Sequence, residues 1–115
     1  MKVLIVEDDF TSRILLQGIL QPHGICHVCV NGREAVQAFQ TAIRESEPYD
    51  LICLDIMMPE MDGQTALKEM RALEAAAGIS GSDSARVIMT TALDDKKNIL
   101  SAFREQCDIY LVKPI

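Results

Sequence analysis

Leu51-Ile52-Cys53-Leu54-Asp55 is a run of four apolar residues that ends on a carboxylate. Such a run, with no polar residue alternating through it, is how a strand reads when both faces of its sheet are covered. Three more runs of the same kind lie on either side of it: Val3-Leu4-Ile5-Val6, Val87-Ile88-Met89 and Ile109-Tyr110-Leu111-Val112. Ile25 to Val30 is weaker, interrupted by His27, and suits a sheet edge. Between the runs the apolar spacing changes to about 3.6 residues. Phe10, Ile14, Leu15 and Ile19 mark one helix, and Ala35, Phe39, Ala42 and Ile43 a second. Ala66, Leu67, Met70 and Leu73 mark a third, and Ile99, Ala102 and Phe103 a fourth. His23-Gly24, Asn31-Gly32 and Asp62-Gly63 punctuate the pattern, and residues 78–84 read as a surface loop. Strict alternation of strand and helix predicts a parallel sheet with right-handed crossovers, hence a doubly wound α/β domain.

The 115 residues suit one domain, and no linker, repeat or low-complexity tract divides them. Apolar residues make up 49% and charged residues 24%, a globular balance. No apolar run nears the roughly 18 residues that span a bilayer, and the first residues lack the layout of a signal peptide. A cytoplasmic protein is expected. The net charge is −6 and no Lys/Arg cluster occurs, so neither nucleic acid nor an anionic membrane surface is an expected partner. Cys26-His27-Val28-Cys29 spells C-x-x-C, but in a strand residues three apart point to opposite faces. Those thiols can neither share a zinc nor bridge easily, and with Cys53 and Cys107 they read as small hydrophobes.

In doubly wound sheets ligands bind beyond the carboxyl ends of the strands. The first strand is followed there by Glu7, Asp8 and Asp9, and the third ends at Asp55. The fourth ends in Thr90-Thr91-Ala92, and the fifth in Lys113-Pro114. Each alone has a bland reading: a solvated turn with Asp9 at a helix N-terminus, a loop acid, a strand-end hydroxyl, a solvated base. Together they are a carboxylate cluster facing one hydroxyl and one ammonium. Mg²⁺ resolves the mutual repulsion of Glu7, Asp8 and Asp55, because it takes carboxylate oxygens and water and needs no His or Cys. With the metal present, Asp55 can attack phosphorus, and Lys113 and the Thr91 hydroxyl can neutralise the phosphoryl oxygens.

These segments resemble the receiver domain of bacterial two-component response regulators, of the chemotaxis type. Val3-Leu4-Ile5-Val6-Glu7-Asp8-Asp9 is similar to the family's acidic pair after the first strand. Residues 55–63, Asp55-Ile56-Met57-Met58-Pro59-Glu60-Met61-Asp62-Gly63, are similar to its D-x-x-M-P-x-M-D-G signature. Val87-Ile88-Met89-Thr90-Thr91-Ala92 resembles the fourth-strand T-A, and Tyr110-Leu111-Val112-Lys113-Pro114 the aromatic-x-x-K-P ending. The match runs over nearly the whole chain, so residues 1–115 are expected to form one receiver domain.

The resemblance implies a five-stranded sheet in the flavodoxin-like order 2-1-3-4-5, with the family's usual fifth helix absent from this chain. It implies that Asp55 is the phosphoacceptor and that Asp8 binds Mg²⁺ directly. Glu7 would act through water, and the Met57 carbonyl would be a further ligand. Lys113 would contact the phosphoryl group ahead of a cis Lys113–Pro114 bond, and Thr91 and Tyr110 would form the switch pair. Strand alternation turns the competing Thr90 hydroxyl to the other face. Pro59 and Gly63 would shape the loop after the third strand. The function implied is a phosphorylatable switch and not an enzyme: a histidine kinase or phosphotransfer protein donates to Asp55, the domain assists, and a downstream protein or effector domain reads the changed surface. Without a fifth helix, one sheet face and the residues Leu15 and Ile19 would be covered by a second copy, another chain or further residues.

Two other classes compete with this reading. A Mg²⁺-dependent aspartyl phosphatase needs a second Asp two residues after the nucleophile, where this chain has Met57. A flavodoxin-like binding module needs a Ser/Thr/Gly phosphate loop after the first strand, where Glu7-Asp8-Asp9 would repel a flavin phosphate.

Overall fold

The computed structural model describes residues 1–56, 58, 60–91 and 107–112, and of residues 91, 110 and 112 the backbone. Strands are β1 (Lys2–Val6), β2 (Ile25–Cys29), β3 (Leu51–Asp55), β4 (Arg86–Thr91) and β5 (Ile109–Val112). Helices are α1 (Phe10–Leu20), α2 (Gly32–Arg44) and α3 (Gly63–Ala76), with single 3₁₀ turns at Gln21–His23 and Gly81–Asp83. The fourth helix expected around Ile99, Ala102 and Phe103 lies outside the described residues, as do Lys113 and Pro114.

Each of α1, α2 and α3 starts on a short polar side chain that accepts from a backbone N–H of the first turn, which relieves one orphan donor. Asp9 Oδ2 takes Ser12 N–H at 2.9 Å, Asn31 Oδ1 takes Glu34 N–H at 2.9 Å, and Asp62 Oδ1 takes Thr65 N–H at 2.8 Å. Glu34 Oε1 in turn accepts the Val30 N–H at 3.3 Å, a reciprocal pairing that sets where the chain turns from β2 into α2.

All pairings are parallel, in the order β2-β1-β3-β4-β5. The strand alternation divides the buried residues into two layers. Leu4, Val6, Ile52, Leu54, Val87 and Met89 pack with Ala35, Phe39 and Ala42 of α2 and Ala66, Leu67 and Met70 of α3. Val3, Ile5 and Cys53 pack with Leu16 of α1 on the other face. Cys29 belongs to the first layer and Cys26 packs against the second, so the C-x-x-C pair straddles the sheet. Burial pushes the Cys29 and Cys53 thiols up to about 11, as befits core side chains rather than nucleophiles.

Helix α1 leaves most of its apolar residues in solvent, Leu15 and Ile19 among them, as expected without a fifth helix against it. It forms where the spacing predicts, but its one buried residue is Leu16, and Phe10, Ile14, Leu15 and Ile19 are exposed. Leu20 packs partly against the second layer. The apolar residues of α1 wrap around most of the helix, so their period establishes a helix without choosing its inward face.

Candidate functional site

β1 and β3 are neighbours with Val6 beside Leu54, so the residues that follow them emerge side by side at the carboxyl edge of the sheet. One carboxylate oxygen from each of Glu7, Asp8 and Asp55 lies within 4.8 Å of the others. Glu7 is fully buried and Asp55 is 4% exposed, whereas Asp8 stands in solvent. Two acids therefore line the floor of the cluster and the third its rim. Two like charges at that spacing repel by roughly 3 kcal/mol even at an effective dielectric of about 20, so the arrangement favours a bound cation. The donor set is three hard oxygens with no imidazole or thiolate, which suits Mg²⁺.

Backbone contacts hold the cluster in place. The Glu7 N–H donates to Cys29 O at 3.0 Å, and the Asp9 N–H donates to Glu7 Oε2 at 3.2 Å. Arg13, one turn into α1, donates to the Glu7 carbonyl at 3.2 Å. On the other side Asp55 pairs with Thr90 across β3 and β4, and the Ile56 N–H donates to Thr90 O at 3.0 Å. The sequence reading singled out none of these positioning contacts. Arg13 carries no signal of its own, since one base in the first turn of a helix is unremarkable.

Thr90 is 1% exposed, and among the described residues its hydroxyl has no hydrogen-bond partner. It falls on the Ile88 side of β4, opposite Val87 and Met89, as alternation requires. Thr91 and Tyr110 are placed as backbone in β4 and β5, where Met89 pairs with Tyr110 and Thr91 with Val112. Their side chains, the Met57 carbonyl, Pro59 and Lys113 lie outside the described residues.

Gly63 opens α3 directly behind Asp55. Its N–H donates to Ile56 O at 2.9 Å, and a Cβ there would collide with the Asp55 carbonyl oxygen and crowd the Ile56 Cα. Both obstacles are backbone, so neither can rotate away. Gly63→Ala is expected to push the start of α3 off the end of β3 and to cost about 1–3 kcal/mol. Thermal unfolding measures the loss, and an unchanged midpoint would show that this close approach does not hold the two elements together.

The sequence profile of the response regulator receiver domain matches residues 3–115. The chemotaxis protein CheY of Bacillus subtilis is 34% identical, over 98% of this chain and 85% of its own. The histidine kinase CKI1 of Arabidopsis thaliana is 32% identical over 81% of this chain, which corresponds to 10% of that kinase. The crystal structure of the CKI1 receiver domain complexed with Mg²⁺ superposes with a TM-score of 0.84 at 28% identity, covering 96% of this chain and 81% of that one.

Proposed function

The chain belongs to the response regulator receiver domain family of phosphorylatable aspartate switches, and from that premise we propose that Asp55 is the residue phosphorylated. The observation that carries the assignment is the convergence of Glu7, Asp8 and Asp55 at the carboxyl ends of β1 and β3, with Asp55 at the floor. In the reaction an Asp55 carboxylate oxygen attacks the phosphorus of a phosphohistidine. The new O–P bond replaces the P–N bond, and the histidine nitrogen leaves with the electron pair and is neutral imidazole once it takes a proton.

Asp8 and Asp55 would hold Mg²⁺ directly, with the Met57 carbonyl as a further ligand and Glu7 acting through water. The bound ion neutralises charge on the phosphoryl oxygens. Lys113 contributes a positive charge to the same group, and Thr91 a hydroxyl. The chain's own part is to hold these groups in place before the donor arrives, which is most of what phosphoryl transfer asks of a protein. The domain is thus a phosphoacceptor that assists its own modification rather than an enzyme acting on others.

Once formed, the aspartyl phosphate draws Thr91 inward and the Tyr110 ring moves into the space released. The two residues belong to β4 and β5, so the change reaches the β4–β5 side of the domain. A local charge event of this kind biases a surface with two arrangements. The donor is a sensor histidine kinase or phosphotransfer protein, the reader is a downstream protein or effector domain, and both act in the cytoplasm. No described helix is long and apolar enough to cross a membrane.

Acetyl phosphate with Mg²⁺ should add one phosphoryl group to the chain, and omission of the metal should suppress it. Asp8→Ala should weaken Mg²⁺ binding by about tenfold or more, since even outer-shell losses at metal sites reach that size. Isothermal titration with Mg²⁺ alone reads this without any phosphoryl donor. Unchanged Mg²⁺ affinity in the Asp8→Ala protein would remove Asp8 from the ligand set.

A further inference from the structure

The edge strand β2 has an unusual composition for its position. Sheet edges are normally guarded by Lys, Pro, a bulge or a covering element, because their free backbone groups invite another strand. β2 reads Ile-Cys-His-Val-Cys, with Ile25 and Val28 exposed and no Lys, Arg, Asp, Glu or Pro to guard it. Alternate residues of a parallel strand bond to one neighbour. The Ile25 N–H donates to Met1 O and Cys29 O accepts from Glu7 N–H, so Ile25, His27 and Cys29 turn their backbone groups toward β1. Cys26 and Val28 therefore direct their N–H and C=O outward, where no described element pairs with them. The next outward N–H, that of Val30, is already taken by Glu34.

Beside this edge, on the α2 side of the sheet, lies a cavity of about 810 Å³. That volume falls within the range of small-molecule sites and would hold two or three long side chains. Ile25 and His27 form its wall on the strand, next to Tyr49, whose Oη lies in hydrogen bond with His27 Nδ1 at 2.6 Å. Glu34, Glu45, Glu47 and Asp50 line it as well. Against these four carboxylates stand the Met1 α-ammonium and one lysine, and Lys2 is engaged: its backbone N–H donates to Asp50 Oδ2 at 2.8 Å, and its ammonium donates to Glu47 O at 2.7 Å and sits 4.6 Å from the centre of the Tyr49 ring.

We propose that the β2 edge and this cavity together dock an extended basic segment of a partner protein. The segment adds as a strand beside Cys26 and Val28, and every second side chain passes over Ile25 and His27 into the acidic cavity. The free edge supplies backbone hydrogen bonds, and the carboxylates select Lys or Arg at alternate positions. A second copy of this chain is a poor occupant, because pairing two such edges brings two sets of carboxylates together in a protein of net charge −6. None of the residues that line the cavity belongs to the Glu7–Asp8–Asp55 cluster, so the surface would serve for tethering or recognition beside the phosphorylation site.

The test uses two blocked, fluorescein-labelled octapeptides, one alternating Lys and Val and one alternating Glu and Val, with saturating Mg²⁺ present. The Lys peptide is expected to bind saturably by anisotropy, about tenfold or more tighter than the Glu peptide, and to weaken with added salt. Its binding should shift the amide resonances of Cys26 and Val28 and slow their hydrogen exchange. Glu45→Lys combined with Glu47→Lys, two exposed positions, should lower the affinity about tenfold while the circular dichroism spectrum is unchanged. Val28→Pro, which removes one outward N–H, should also lose binding. Equal binding of the two peptides, indifference to the Glu45/Glu47 pair, or shifts confined to Glu7, Asp8 and Asp55 would overturn the proposal. So would concentration-dependent protection of Cys26 and Val28 without peptide, which would make a second copy the occupant.

Discussion

Asp55→Asn is expected to bring phosphorylation by acetyl phosphate to background while leaving the domain at least as stable as before. The carboxamide has nearly the size of the carboxylate, so a site that is 4% exposed can hold it without a cavity. What changes is chemistry: the amide offers no anionic oxygen to attack phosphorus. The substitution also removes one of three negative charges within 4.8 Å, so repulsion in the metal-free protein falls by roughly 3 kcal/mol for each pair lost. The paired readout separates a lost nucleophile from a lost fold. Intact-mass spectrometry should show no added phosphoryl group, and thermal unfolding without Mg²⁺ should show an equal or higher midpoint. An Asn variant that labels as fast as the parent would move the phosphoacceptor elsewhere, with Asp8 the first residue to check.

The convergence of the three carboxylates was legible because they follow one rule. Residues at the carboxyl end of adjacent parallel strands must meet, and Glu7, Asp8 and Asp55 directly follow or end runs that are plainly strands. The inward faces of α2 and α3 were equally readable: Ala35, Phe39 and Ala42, and Ala66, Leu67 and Met70, are buried as their period implies. Helix α1 was not, because Ile14, Leu15, Leu16, Ile19 and Leu20 spread apolar surface around it, and the sheet takes Leu16. Individual side-chain contacts away from the strand ends left no trace. Nothing in the chain marks His27 as the partner of Tyr49, or Arg13 as the donor to the Glu7 carbonyl. Such pairs depend on where two elements cross, which periodicity does not encode.

The largest of these illegible features carries the largest predicted effect on stability. Glu74, in the last turn of α3, is 3% exposed and reads in sequence as one acid among 17. In the fold its Oε2 accepts the N–H of buried Ala85 at 2.7 Å, and its Oε1 accepts from the Arg71 guanidinium at 2.8 Å. Arg71 also donates to Ala85 O at 2.8 Å and lies 3.6 Å from Asp108, which accepts the Val87 N–H at 2.8 Å. The end of α3, the start of β4 and the residue before β5 are thus joined through the Arg71–Glu74 pair. Glu74→Ala leaves the Ala85 N–H without its acceptor and strips Arg71 of its closest anion. Breaking a buried pair from one side costs about 3–5 kcal/mol, because the group left behind has already lost its water. For a domain of this size the unfolding midpoint should fall by roughly 10 °C or more. Glu74→Gln keeps an acceptor for Ala85 and loses only the charge, so it should cost less than half as much. Chemical denaturation of both variants decides the matter. If the two are equally destabilised, the charge on Glu74 rather than the capping of Ala85 holds the junction. If Glu74→Ala falls within about 1 kcal/mol of the parent, the network does not secure β4 and β5, and the apolar layer of Val87 and Met89 does so without it.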